Sequence, residues 1–256
     1  MSSKPTLILV PGSFATPDFY NNIQSPILSQ SIDFHVLSLK TVGRKPSPPP
    51  TMYDDAAHIA SEVAKHVEEG KEVVLVGHSY AGIPISQSTK GLTRGEREKE
   101  GKKGGIVRLG YMTAVVVPEG GSSMNSMEDM NMDHIEIGED GFASIKDFEK
   151  NAEVVFNHLP YEEGLAWAKR FSQHSIISFA NELTHPGYKD VPTSYMFCED
   201  DKCVSPRNQQ AGIDRIESAS GNKVDVTRGN WDHVPTLSDT QGAVDWLVGL
   251  VEKGGN

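Results

Sequence analysis

The sequence predicts an α/β protein, an open and mostly parallel sheet flanked by helices. Three observations carry that expectation. Several short runs are rich in β-branched residues and apolar almost throughout, as strands covered on both faces require. Longer stretches place their apolar residues at helical spacing. The two kinds of segment alternate along the chain, which is the pattern of βαβ units.

In order, the strand candidates are "TLILV" (6–10), "FHVLSL" (34–39), "EVVLV" (72–76), "GIVRLGYMTAVVV" (105–117), "TSYMFC" (193–198) and "KVDVT" (223–227). A helix is expected over 54–69, with Ala56, Ile59, Ala60, Val63 and Val67 on one face and Gly70 as its stop. Further helices are expected over 205–218 and 239–253. "KPSPPPTM" (45–52) is a stiff connection. "GLTRGEREKEGKKGG" (91–105) mixes charges and glycines, and reads as a solvated, mobile loop without chemistry. Residues 120–190 are less regular and largely helical, and read as a lid folded over the sheet edge. The expected organisation is therefore core (1–119), helical lid (120–190) and core again (191–256).

Composition limits the function. The chain has 256 residues and a net charge of −11, which disfavours a phosphate backbone as partner. No apolar run approaches the roughly 18 residues of a membrane span. The N-terminal apolar stretch is too short for a secretory signal. Cys198 and Cys203 have neither metal-site nor disulfide-framework spacing. A cytoplasmic protein acting on a small molecule is expected, with no nucleic-acid or membrane partner; a homodimer is compatible with the sequence.

The segment "VVLVGHSYAGIPIS" runs from an apolar strand into Gly77-His78-Ser79 and then into a helix of small residues. In a parallel sheet, ligands bind outside the carboxyl ends of the strands. Ser79 stands at such an end, where a sharp turn would expose its hydroxyl and the helix start would favour developing negative charge. The fifth position of the G-x-S-x-G pattern is Ala81, so a helix-capping serine is the competing interpretation. A serine nucleophile needs a base, and the base needs an orienting carboxylate. Later strand ends supply both: "EDDKCVSP" follows "TSYMFC", and "RGNWDHVPTLSD" places His233 in a loop before the last helix. The chain order Ser, acid, His agrees with the strand–turn–helix setting.

These islands, with "LILVPGSF" near the N-terminus, resemble the α/β-hydrolase fold, and specifically its compact plant-type esterase and hydroxynitrile lyase branch. The resemblance implies Ser79 as nucleophile, His233 as general base and an acid within Glu199 to Asp201. Family spacing favours Asp201, with Asp200 as rival. It also implies an oxyanion hole from the backbone N–H of Tyr80 and of Ser13 or Phe14. The family usually has His-Gly where this chain has Pro11-Gly12, so a stiffer loop is expected. It implies no cofactor and no metal.

The remaining histidines do not form a metal motif, and His58 and His66 read as surface or packing residues. His78 is expected to point into the packing between sheet and helix. Met124, Met127, Met130 and Met132 suit either a lid over an apolar or aromatic substrate or a simple core cover. The adjacent Glu128, Asp129, Asp133, His134 and Glu136 lack the spacing of a calcium loop and read as a solvated acidic edge. The function expected is a serine hydrolase of an ester, thioester or lactone of a small apolar molecule. A cyanohydrin lyase ranks lower, because branch lyases carry a lysine shortly after the histidine and this chain has Val234-Pro235-Thr236. A low-turnover receptor, or an enzyme of a non-hydrolytic step such as cyclisation, would also fit these residues.

Overall fold

The computed structural model describes residues 4–126 and 132–254. Strands β1 (Thr6–Val10), β2 (Phe34–Val36), β3 (Glu72–His78), β4 (Gly105–Met112), β8 (Thr193–Cys198) and β9 (Asp225–Gly229) form one sheet in the order β2-β1-β3-β4-β8-β9. Every neighbouring pair is parallel. The strands carry apolar residues on both faces because both faces are covered. Ile8, Val10, Val73 and Leu75 meet helix α2 (Met52–Glu68) on one side; Leu7, Leu9, Val74 and Val76 meet α1 (Asn21–Ser29) and α11 (Thr240–Lys253) on the other. Each such buried aliphatic side chain contributes roughly 1.5–3 kcal/mol.

Local chemistry sets the helix ends. Thr51 and Asp54 form a reciprocal capping box at the start of α2, slightly earlier than the apolar periodicity suggests, and Gly70 at φ +79° follows its end. In α9 (Pro206–Ser220), Ser205 caps the N-terminus, Pro206 takes the first turn and Gly221 ends the helix in the left-handed region.

Three segments depart from expectation. The 91–105 stretch is not simply a solvated loop: Thr93 and Glu96 make a capping box for α4 (Arg94–Lys99). Its Arg97 is buried, donating to the carbonyls of Val67 (2.8 Å) and Lys103 (3.1 Å) and pairing with Glu68. The Thr-x-x-Glu signature was hidden in a charge run. Next, the apolar run 105–117 leaves the sheet at Met112. Thr113 turns with φ +37°, and the Val115 N–H donates to the Ser79 carbonyl (2.9 Å), so the second half of the run wraps the sheet's carboxyl edge.

The 120–190 stretch, read as helical, also contains an antiparallel sheet. Its strands β5 (Ile135–Ile137), β6 (Phe142–Ile145) and β7 (His174–Ser175) accompany helices α5 (Ser123–Ser126), α6 (Phe148–Val155), α7 (Tyr161–Ala168) and α8 (Ile177–Ala180). β7 is tied to the core through Ser175 N–H to the Thr41 carbonyl (2.9 Å). No helix among the described residues is long and apolar enough to cross a membrane.

Behind β3, short helix α3 (Gly82–Gln87) packs so closely that a Cβ on Gly82 would strike the Val115 carbonyl. A Cβ on Gly77 would meet the Ala81 backbone at 2.8 Å. Gly82→Ala is expected to lower stability by about 1–3 kcal/mol, because backbone cannot move aside cheaply. A denaturant midpoint equal to that of the native chain would refute this packing argument.

Candidate active site

The turn after β3 holds Ser79 at φ +56°, a conformation that non-glycine residues seldom adopt, which lifts its side chain from the strand end. Ser79 Oγ lies 3.0 Å from His233 Nε2, and His233 Nδ1 lies 2.7 Å from Asp201 Oδ2. Since the carboxylate only accepts, Nδ1 carries the proton and Nε2 is left to accept from the serine hydroxyl. Asp201 is buried and fully engaged: Oδ1 accepts from the N–H groups of Cys203 (2.7 Å) and Val204 (2.9 Å), and Oδ2 also accepts from the Thr113 hydroxyl. Burial works against an imidazolium at His233, but the Asp201 carboxylate outweighs it and raises the ring's pKa well above the usual value.

Asp200, the sequence rival, lies outside this chain of contacts. It is half exposed and holds residues of the 120–190 stretch, with His158 Nε2 at 2.8 Å and Asn157 Nδ2 at 3.0 Å. The neighbouring Asp232 is buried and holds the histidine loop against the short helix α10 (Pro235–Ser238), accepting from the N–H of Val234 (3.1 Å) and the hydroxyl of Ser238 (2.6 Å).

The residues expected to line an oxyanion site converge as well. Ser13, Phe14 and Tyr80 all border the cavity above Ser79, and Phe14 has φ +63°. Two buried networks that the sequence did not reveal fix their loops. In the first, the Tyr80 hydroxyl donates to Asp55 (3.0 Å), which also accepts from the Thr41 N–H (3.0 Å) and hydroxyl (2.7 Å). Burial raises Asp55 to about 6 against those hydrogen bonds. A signal existed: Asp55 stands four residues before Ile59, on the apolar face of α2.

The second network runs through His78. Its Nε2 lies 2.7 Å from the His233 carbonyl, which can only accept, so Nε2 carries the proton. Nδ1 therefore accepts from the Tyr20 hydroxyl (2.7 Å), which itself accepts from the Gly12 N–H (3.2 Å). Burial, reinforced by repulsion whenever His233 takes up a proton, pushes His78 down to about 3, so it stays neutral. Expected only to fill space, His78 instead links the loop after β1 to the loop carrying His233. Tyr20→Phe keeps the ring but strands the Gly12 N–H and His78 Nδ1. It is expected to cost about 1–3 kcal/mol in a denaturant melt and to slow phosphonylation of Ser79; an unchanged midpoint would contradict the link.

The cavity encloses about 860 Å³ of empty space, part of it open to solvent. Phe19, Val115, Ile135, Ile145, Val154 and Phe171 make most of its wall apolar. Met132 lines it and Met124 is exposed, whereas Met127, Met130, Glu128 and Asp129 lie outside the described residues. His134 does not belong to a solvated acidic edge: it is buried and faces this cavity, while Asp133 and Glu136 are exposed.

Among the described residues, Asp33, His35 and His66 bring three potential metal ligands together. They sit at the amino end of β2, opposite Ser79, where His35 (2.8 Å) and Lys71 (3.5 Å) already pair with Asp33. His58 lies 3.9 Å from Glu62.

A family model described as alpha/beta hydrolase family matches residues 7–246. The alpha/beta hydrolase nvfD of Aspergillus novofumigatus is 33% identical over 239 residues, which are 92% of this chain and 92% of that protein. The pyrethroid hydrolase of Sphingobium faniae JZ-2 superposes with a TM-score of 0.75 at 19% identity, covering 97% of this chain and 98% of its own. Polyneuridine aldehyde esterase gives 0.72 at 19% identity, covering 96% and 99%. At those identities the two structures share the fold.

Proposed function

The chain belongs to the alpha/beta hydrolase family, and from that premise we propose that it is a cofactor-independent serine hydrolase acting on an ester, thioester or lactone of a small apolar molecule. The observation that carries this reading is the unbroken Ser79–His233–Asp201 hydrogen-bond chain at the floor of an apolar cavity.

In the first half-reaction Ser79 Oγ attacks the carbonyl carbon as its proton passes to His233 Nε2. Asp201 holds the ring and stabilises the imidazolium. The carbonyl oxygen, now negative, is met by the N–H of Tyr80 and that of Phe14 or Ser13. Such donors are each worth about 3–4 kcal/mol in rate, because they are fixed before the charge develops. Collapse breaks the bond to the leaving oxygen or sulfur, which takes the proton from His233. Water then attacks the acyl group on Ser79, with His233 as base, and releases the acid. Every group used belongs to the chain, so no cofactor is required.

The free thiols of Cys198 and Cys203 support a reducing, cytoplasmic setting. The test is intact mass after exposure to a small fluorophosphonate, followed by an ester and lactone panel with mass analysis of products. One adduct on the native chain and release of acid plus alcohol are expected. A folded protein that takes no adduct and binds esters without turnover would turn the reading to a receptor.

A further inference from the structure

Two polar side chains of the cavity wall each bury an atom that has no hydrogen-bond partner among the described residues. His134 and Asn151 are 5% and 2% exposed, both line the cavity, and among the described residues neither His134 Nδ1 nor Asn151 Oδ1 has a hydrogen-bond partner. The surfaces beside them are hydrocarbon: Ile135, Ile145, Val154 and Val155. Buried polar atoms are normally paired, because leaving one dry in an apolar setting is unfavourable. Leucine and phenylalanine would suit this wall better if shape were all that mattered.

The pair is held as one unit. The His134 carbonyl accepts from the N–H groups of Lys146 (2.9 Å) and Asp147 (3.3 Å). Asp147 caps α6, and its carbonyl accepts the Asn151 N–H (3.0 Å) one turn later. Burial lowers the His134 pKa, so the ring enters the site neutral. A neutral imidazole and a carboxamide can each accept and donate. Among the described lining residues the cationic groups are Lys202, from the acid loop, and His233 when protonated, beside Ser79, and neither belongs to this wall. A carboxylate would therefore lose its water against two neutral groups, whereas a hydroxyl is cheaper to dehydrate and can donate and accept.

We propose that His134 and Asn151 are specificity determinants that recognise a hydroxyl group, alcoholic or phenolic, on the part of the substrate seated under the 120–190 segment. The substrate class narrows to hydroxylated apolar esters, thioesters or lactones, which rests on the hydrolase reading above.

The experiment uses Ser79→Ala protein, so that binding is read without turnover. Titration calorimetry compares methyl 3-phenylpropanoate with its ortho-, meta- and para-hydroxylated ring counterparts. At least one hydroxylated ester is expected to bind about tenfold or more tightly than the parent. Adding Asn151→Leu or His134→Phe should bring that ratio close to one. The proposal is overturned if no hydroxylated isomer exceeds the parent, as when a resident water satisfies the pair, or if the preference persists in both variants. The first comparison needs no change in the cavity wall, so a variant that fails to fold does not shield the idea. Turnover of the parent ester by the native chain reports separately on the hydrolase reading: turnover without a hydroxyl preference overturns the specificity alone.

Discussion

Replacing Ser79 with alanine is expected to lower kcat for ester hydrolysis by about four to six orders of magnitude and to abolish the fluorophosphonate adduct. No other hydroxyl is 3.0 Å from His233 Nε2 among the described contacts, so nothing takes over the attack. A residual rate should remain, because the N–H groups of Tyr80 and the loop after Gly12 would still polarise a bound carbonyl. Stability should hardly change. Alanine inherits the same positive φ and leaves no large cavity, so the denaturant midpoint is expected within about 1 kcal/mol of native. An adduct that survives in Ser79→Ala would move the nucleophile elsewhere and sink the proposed mechanism.

The second large effect separates two adjacent carboxylates. Asp201→Asn is expected to lower kcat by about four orders of magnitude, because an amide can favour the wrong imidazole tautomer and brings no charge to stabilise the imidazolium. Asp200→Asn should alter kcat by less than about tenfold, since it loosens the contact with His158 without touching His233. The pH profile adds a sign. His233 must be neutral to act as base, and Asp201 raises its pKa against the opposing effect of burial. The native kcat/KM should therefore climb with pH through an apparent pKa above the usual imidazole value. In Asp201→Asn the opposing effect of the carboxylate is lost while burial remains, so the residual activity should rise through a lower apparent pKa than in the native chain. A larger loss in Asp200→Asn than in Asp201→Asn would reverse the assignment of the acid.

The alternation of β-branched runs with amphipathic stretches determined the α/β class and the sheet's strands, because both periodicities are local and report which faces are covered. The order of Ser79, the carboxylates and His233 at successive strand ends was legible for the same reason: in a parallel sheet all carboxyl ends lie on one edge. Sequence alone left Asp200 and Asp201 as neighbours with equal chemistry. Their separation is tertiary, since one side chain turns towards Thr113 and His233 and the other towards His158. The bend at Thr113 was likewise invisible, because a lone threonine within a β-branched run reads as strand, and the bonds made at the bend, such as that of the Val115 N–H to the Ser79 carbonyl, join distant residues. The Tyr20–His78 and Asp55–Tyr80 links join residues 58 and 25 positions apart, and the two unpartnered groups at His134 and Asn151 acquire meaning only inside an enclosed wall. A local pattern fixes which face a residue presents; what it meets there depends on how distant loops close over the sheet, and only the folded chain decides that.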